Sequence, residues 1–482
     1  MTTSSKRLKR FFWLLLAAGF VSVGAAAFML DRLNIPPRQL APYLERRAEG
    51  HQPAVVELAV RLTDGLQQLD RGTREVHTPQ RWNIGAGAVA TKTSGAGAEV
   101  VMVSTAVELK QALAQARPGQ AITLMPGHYR IDGDGSLDIR QAGTAEAPIV
   151  VRAERPATVF IELNAGEGFK VDAPYWRFEN LNIEGVCQTQ EFCQHAFHVA
   201  GRGAHFTARN NLIVNFNAHF KINGEDGNFP DYGVIEGNTL TNTAPRRTIS
   251  PVTPIDLVAA SHWRIARNQI SDFIKADGDR ISYGAFVKGG GSDNRIEQNI
   301  VLCEYLLQGN RGAQVGLSLG GGGTGPQYCR DRRCITEQDG GVVQSNLIAS
   351  CSDDGIYLNR AAASKILHNT LVDTGGITVR FPESSADVEG NLVDSVVRSR
   401  DEGLLRTAEN QVTGPISLYL GRHPVRALFK APGALDFSWK DKPAVRENMS
   451  EQIPDLCQGM RTGTVSYGAF EDFAACTRPQ AR

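Results

Sequence analysis

Two side chains in this sequence have the chemistry of a base and an anion clamp, and each ends a short apolar segment. Lys288 closes AFVK and Arg380 closes ITVR. Five further segments are built alike: AFHVA (196–200), HFKIN (219–223), PIDLV (254–258), LSLG (317–320) and IYLN (356–359). Side chains alternate along an extended chain, so the apolar positions point to one face and the others to the opposite face. Aligned on that rule, one outward column holds His198, Lys221, Asp256, Phe286, Ser318, Tyr357 and Thr378. The next holds Ala200, Asn223, Val258, Lys288, Gly320, Asn359 and Arg380. Neighbouring strands lie about 4.8 Å apart, which sets Lys288 and Arg380 about 14 Å apart. Amines, guanidinium, amides, a carboxylate and aromatic rings on one face suit an anionic or neutral glycan. Lys288 is then a candidate base, and Arg380, with nearby Arg360, a candidate clamp for a carboxylate. Asp353 and Asp354 in CSDDGIYLNR are paired carboxylates of the kind glycoside hydrolysis uses. An Asx turn entering a strand uses the same residues. His198 can be a general base or a partner within a turn. Arg311, Arg330, Arg332 and Arg333 share one insertion and could hold carboxylates. The tetraglycine Gly320–Gly323 lacks a following GKS/T, so it is not a phosphate loop.

The elements that position these groups are announced by a recurring phrase: Asn, any residue, then an aliphatic residue. It reads NLIVN from Asn211, NTLTN from Asn238, NQISD from Asn268 and NIVLC from Asn299. It returns as NLIAS from Asn346, NTLVD from Asn369 and NLVDS from Asn391. The steps are 27, 30, 31, 47, 23 and 22 residues. A shortest period near 22 with insertions marks a solenoid. Short β-branched runs between Asn, Gly and Asp turns make its coils β. The expected fold is all-β, a right-handed parallel β-helix over residues 100–423, with the Asn side chains stacked inside a turn. That assigns those Asn residues to architecture and sends function to the outward face. Ser104-Thr105 caps a short helix, ELKQALAQA, which should close the first coil. Residues 32–99 read as a helical stalk and a Gly/Ala-rich linker. Residues 424–482 lose the repeat and should pack as a tail on the solenoid. The longest insertion, 303–341, and loops at 223–234 and 242–254 should flank the binding face.

The net charge is zero, and no long basic run follows the first ten residues. A general nucleic-acid binder is not expected. Lys6, Arg7, Lys9 and Arg10 precede a twenty-residue apolar run from Phe11 to Leu30. That length spans a bilayer as a helix, with the basic flank cytoplasmic. The expectation is a single-pass inner-membrane anchor over residues 1–31 with the β-helix in the periplasm. Secretion after cleavage near Gly24-Ala25-Ala26-Ala27 is the alternative. Eight cysteines agree with export. The close pairs Cys187/Cys193 and Cys329/Cys334 could each clip a loop, Cys457/Cys476 could tie down the C-terminal tail, and Cys303/Cys351 could brace adjacent coils; the sequence leaves the connectivity open. Their spacing, without a nearby His pair, argues against zinc.

The stretch ELKQALAQARPGQAITLMPGHYRI resembles the first coils of family-six polysaccharide lyases, which include chondroitinase B and alginate lyases. The N-x-[ILV] coils and the GAFE of Gly468–Glu471 are common in the wider pectate-lyase-like superfamily. The resemblance covers roughly residues 100–420. It implies proton abstraction beside a uronate carboxyl by a Lys, with an Arg one coil later and a calcium ion held by an Asn and two Glu. AFVKGGGSDNRIEQN resembles the Lys-bearing strand, which gives the base role to Lys288. Ile281 and Tyr283 stand where the two Glu belong, and Gly320 where the Arg belongs. No metal or cofactor is therefore expected, and Arg380 would take over charge neutralisation. The leading expectation is a lyase acting on an acidic polysaccharide by β-elimination, with His198, Lys221, Asp256, Tyr357, Asn359, Arg360 and Arg311 contacting the glycan. The alternatives are a non-catalytic glycan-binding or envelope scaffold protein, and a glycoside hydrolase using Asp353 and Asp354.

Overall fold

The structure, a computed structural model, describes residues 28–72, 75–88, 99–133, 137–321, 323–447 and 454–477, with Trp13 and residues 24–25. The apolar run read as an anchor lies largely outside the described residues. Among those described, no helix is long and apolar enough to cross a membrane.

The chain winds through three parallel sheets in turn. The first has 12 strands, from Glu99–Val103 to Leu404–Ala408; the second has 11, from Gly127–Asp132 to Gln411–Val412. The third has 10, from Leu137–Ile139 to Val397–Arg400. Each strand pairs with its counterpart one coil on, which is the parallel β-helix that the repeat predicted. Inside, like residues stack: Phe169, Phe197 and Phe220 lie ring on ring at centroid separations of 5.2 Å. A helix at Ala106–Ala114 covers the first coil, and the Thr105 hydroxyl accepts the Glu108 N–H at 3.2 Å.

The repeated Asn residues sit, fully buried, at the turn between the first and second sheets. The Asn211 side-chain amide and main-chain N–H both donate to the Asn238 side-chain oxygen, each at 3.0 Å. The same pair of bonds joins Asn238 to Asn268, then Asn299, Asn346, Asn369 and Asn391 in succession. One rung extends beyond the expected seven, because Asn391 donates in the same way to Asn410. The residue before each rung holds the left-handed conformation, as Arg267 (φ 56°), Gln298 (φ 57°) and Ser345 (φ 54°) do. That conformation is costly for a non-glycine residue, and the ladder's hydrogen bonds offset it.

All four expected disulfides are formed: Cys187–Cys193, Cys303–Cys351, Cys329–Cys334 and Cys457–Cys476. The C-terminal segment forms two short antiparallel strand pairs, and its aromatic residues pack against the outer side of the second sheet. There Phe429, Phe437 and Phe470 cover Leu302, Leu347 and Leu392. Trp82 and Ile84, from the stretch read as a linker, join that cluster. Residues 37–71, read as a stalk, form helices α1 (Pro37–Ala48) and α2 (Pro53–Arg71), and these are bonded to the solenoid. Arg38 of α1 binds Asp70 of α2 at 2.7 Å and Asp373 of the solenoid at 2.7 Å. Arg71 binds the same Asp373 at 3.1 Å and Glu304 at 3.4 Å.

Candidate active site on the third sheet

The register places both columns as the alternation rule requires. His198 pairs with Lys221, Lys221 with Asp256, Asp256 with Phe286, Phe286 with Ser318, Ser318 with Tyr357 and Tyr357 with Thr378. Lys170 extends this column at one end and Arg398 at the other. In the second column Val258 pairs with Lys288, and Asn359 with Arg380.

Asp256 is the hub of the upstream half. It is 6% exposed. It accepts the Lys221 ammonium at 2.5 Å, and its other oxygen faces Lys288 Nζ at 3.9 Å. Burial alone would raise its pKa, but Lys221 and then Lys288 outweigh it and hold the carboxyl below its ordinary value. Lys288 Nζ lies 4.1 Å from the centre of the Phe286 ring, a cation–π contact, and Phe286 stacks on Tyr283 at 4.3 Å.

The downstream half is joined to Lys288 by a loop. A Cβ on Gly321 would come within 2.9 Å of both Lys288 Cδ and the Phe286 ring, so only a glycine lets the loop lie this close. Asn359 donates to the Gly321 carbonyl at 3.4 Å and to the Tyr357 hydroxyl at 3.2 Å. Arg380 donates to that hydroxyl at 3.3 Å, binds Asp401, and stacks over Phe381 at 4.4 Å. Lys288, Asn359, Tyr357 and Arg380 therefore form one connected strip, although one strand lies between that of Lys288 and that of Asn359.

Other candidates fall elsewhere. His198 is largely buried between Glu167 (3.0 Å) and the Asn223 side-chain oxygen (2.7 Å). Its hydrogen bond is the main influence lowering the Glu167 pKa. Asp354 is 5% exposed. It lies 3.4 Å from Gln39 of α1 and 3.6 Å from Arg398. Burial pushes its pKa up to about 7 against the opposing pull of Arg398. Asp353 accepts the main-chain N–H of Asp354 at 2.9 Å, the local bond of a turn. Arg330 is engaged by Asp231 at 2.7 and 2.8 Å and by the Phe229 ring at 4.3 Å, tying the long insertion down. Arg311 is exposed just before the strand Ala313–Leu319, at the rim. Arg360 turns through the left-handed region, and its carbonyl accepts Glu337 N–H at 2.7 Å.

Three groups had not been singled out. Glu337, fully buried, accepts the Thr324 hydroxyl at 2.8 Å and lies against Gly321. His195 borders a cleft of about 190 Å³ with Lys221, Asn217, Ser250 and Asp256. Burial, with His198 and Lys221 nearby, pushes its pKa down to about 4. Arg398 donates to Thr378 at 3.0 Å and to the Asn34 carbonyl at 3.3 Å, and it also binds Gln39, so the N-terminal segment covers this end of the face. HxxH in CQHAFHVA was the available sign for His195; Glu337 and Arg398 depend on contacts from distant segments.

The calcium site of the resemblance does not fit these residues. Ile281 is apolar and Tyr283 is stacked on Phe286. Among the described residues no three His, Cys, Asp or Glu side chains are grouped to hold a metal ion.

The family model described as chondroitinase B matches residues 103–226. No curated protein sequence matches the chain. The solved structure of pectate lyase Pel9A is 15% identical, over 79% of this chain and 98% of that one, with a TM-score of 0.54. An alginate lyase from Paenibacillus sp. str. FPU-7 is 15% identical, over 65% and 95%, with a TM-score of 0.36. A rhamnogalacturonan lyase is 12% identical, over 64% and 81%, with a TM-score of 0.42. The likeness to Pel9A shows the fold, a parallel β-helix.

Proposed function

We propose that this chain is an exported, membrane-anchored lyase that cleaves an acidic polysaccharide by β-elimination. The observation that carries this reading is the connected strip from Lys288 through Asn359 and Tyr357 to Arg380. It sets an amine and a guanidinium on one face with aromatic rings between them. Lys288 Nζ, in its neutral form, takes the C5 proton of a uronate. The C5–H electrons form the C4–C5 double bond, the C4–O4 bond breaks, and the departing oxygen takes a proton from water. Arg380 pairs with the uronate carboxylate and disperses the charge that develops there. Asp256, held by Lys221, faces Lys288 Nζ at 3.9 Å and positions it. The match to the chondroitinase B family model and the likeness to a pectate lyase support an acidic polysaccharide as the substrate class. The basic flank, the twenty-residue apolar run and four disulfides support a periplasmic β-helix held at the inner membrane.

The test is a screen of the full chain in detergent against uronate polymers, followed by ultraviolet absorbance of unsaturated products. Lys288→Ala should lower turnover by about 10²–10⁴-fold. Arg380→Ala should mainly weaken binding. Lys221 still pairs with Asp256 when Lys288 is removed, and Arg380 is partly exposed, so both variants should leave the melting temperature nearly unchanged. Full activity in both variants on a confirmed substrate would defeat the assignment and direct attention to Asp353 and Asp354. Glycan binding that both substitutions abolish, with no product from any polymer, would make this a glycan-binding protein instead.

A further inference from the structure

Helix α2 meets α1 on one side and leaves an apolar stripe open beside it. Its inner side meets α1, where the Thr63 hydroxyl donates to the Ala41 carbonyl at 3.3 Å and Asp70 receives Arg38. The adjacent stripe carries Val55, Leu58, Leu62 and Leu69, at spacings that put them on one helical face. They are 45, 59, 51 and 38% exposed. Leu420, on the neighbouring turn and 61% exposed, continues this surface past Leu69. On α1, Tyr43 is 48% exposed with Arg47 over its ring at 5.4 Å, an aromatic and a cation of the sort that suit a headgroup layer.

The length of chain ahead of α1 says what covers the stripe. Six residues, Asp31 to Pro36, separate the apolar run from α1. Fully extended they reach about 20 Å, so an anchor in the bilayer keeps the start of α1 within that distance of the lipid and the helix pair beside it. We propose that the outer stripe of α2, with Leu420, lies in the boundary between headgroups and acyl chains of the bilayer that holds the N-terminal run. The helix pair then acts as a foot that sets the β-helix in one orientation on the membrane. This rests on the anchored reading of the N-terminus.

The cysteines of the described chain are all in disulfides, so one added cysteine can be labelled. The full chain carrying Leu58→Cys is labelled with nitrobenzoxadiazole and reconstituted in vesicles of phosphatidylethanolamine and phosphatidylglycerol. Gln67→Cys, on the polar side of α2, is the control. The expected result is blue-shifted emission at position 58, mostly quenched by lipid bearing a shallow nitroxide, with little effect at position 67. Protein that stays with the vesicles through an alkaline wash but shows water-like, unquenched emission at position 58 overturns the foot and leaves the anchor standing. Protein released by the wash overturns the anchor and the foot together. Energy transfer between labelled copies without nitroxide quenching means that a second copy covers the stripe, which also overturns the proposal.

Discussion

Asp256 and Asp354 are both buried carboxylates at the third sheet, and their surroundings drive them in opposite directions. Asp256 is flanked by two lysines and stays charged. Asp354 has one arginine at 3.6 Å and lies under α1, and burial dominates. Its folded pKa of about 7 stands above the ordinary value of about 3.9. Below the lower value both folded and unfolded chains hold the proton. Between the two the folded chain keeps a proton that the unfolded chain releases, so this group's effect on stability worsens as pH rises, and it levels off above the upper value. Asp354→Asn should therefore gain stability over the wild type progressively from about pH 4 to 7, read as the difference in melting temperature. A difference that stays flat across that range would show that the carboxyl is already ionised in the fold. Lys288, Asp256, Tyr357 and Arg380 were legible from sequence because a period of two fixes which side chains face outward. The burial of Asp354 was not, since Gln39 comes from a segment with no repeat to register it.

At the scale of the element, the Asn ladder makes each coil's turn depend on the next. Asn299 takes two donors from Asn268 and gives two to Asn346. Replacing it with Ala strands buried donors on Asn268, each at a cost of about 1–3 kcal/mol. Asn410 ends the ladder and is partly exposed, so water replaces what its loss removes. Asn299→Ala should accordingly lower stability in urea unfolding by clearly more than Asn410→Ala. Equal losses would mean that the rungs act independently of burial. The rungs were legible through their spacing, although Asn410 escaped notice in a stretch where the coils shorten. The covered second sheet was also written in the sequence. Ile300, Leu302, Leu347 and Ala349 are apolar on the outer side, where Thr239, Thr241, Gln269 and Ser271 of earlier coils are polar. The tail lies over the apolar stretch, as hydrophobic burial demands.

At the scale of the whole molecule, Arg38, Asp70, Arg71 and Asp373 tie the first described helices to the late coils. Arg38 and Asp70 are 4% and 0% exposed. Burial would raise the Asp373 pKa, but Arg71 and Arg38 hold it well below the usual carboxylate range. A depressed pKa gives a stabilising contribution that is present above the ordinary value and lost as pH falls, so this clamp fails only in strong acid. Removing one partner leaves buried charge uncompensated, at about 3–5 kcal/mol. Arg38→Met should cost stability of that order in urea unfolding and speed hydrogen exchange in residues 370–400. A change no larger than that of a surface substitution, about 0.5 kcal/mol, would make the clamp incidental.

The same clamp dictates an order of assembly. Arg38 leaves the ribosome 335 residues ahead of Asp373, the partner it must meet. Coils can stack from the N-terminal cap onward as they emerge, since each needs only its neighbour. Glu304 offers Arg71 an earlier counter-charge, but Asp373, the carboxylate both arginines share, exists only once the late coils do, so the docking of the two helices is completed late. A chain cut short before residue 373 would lack the carboxylate that both arginines share and would hold the helix pair loosely, a mark by which proteases could tell unfinished molecules from finished ones.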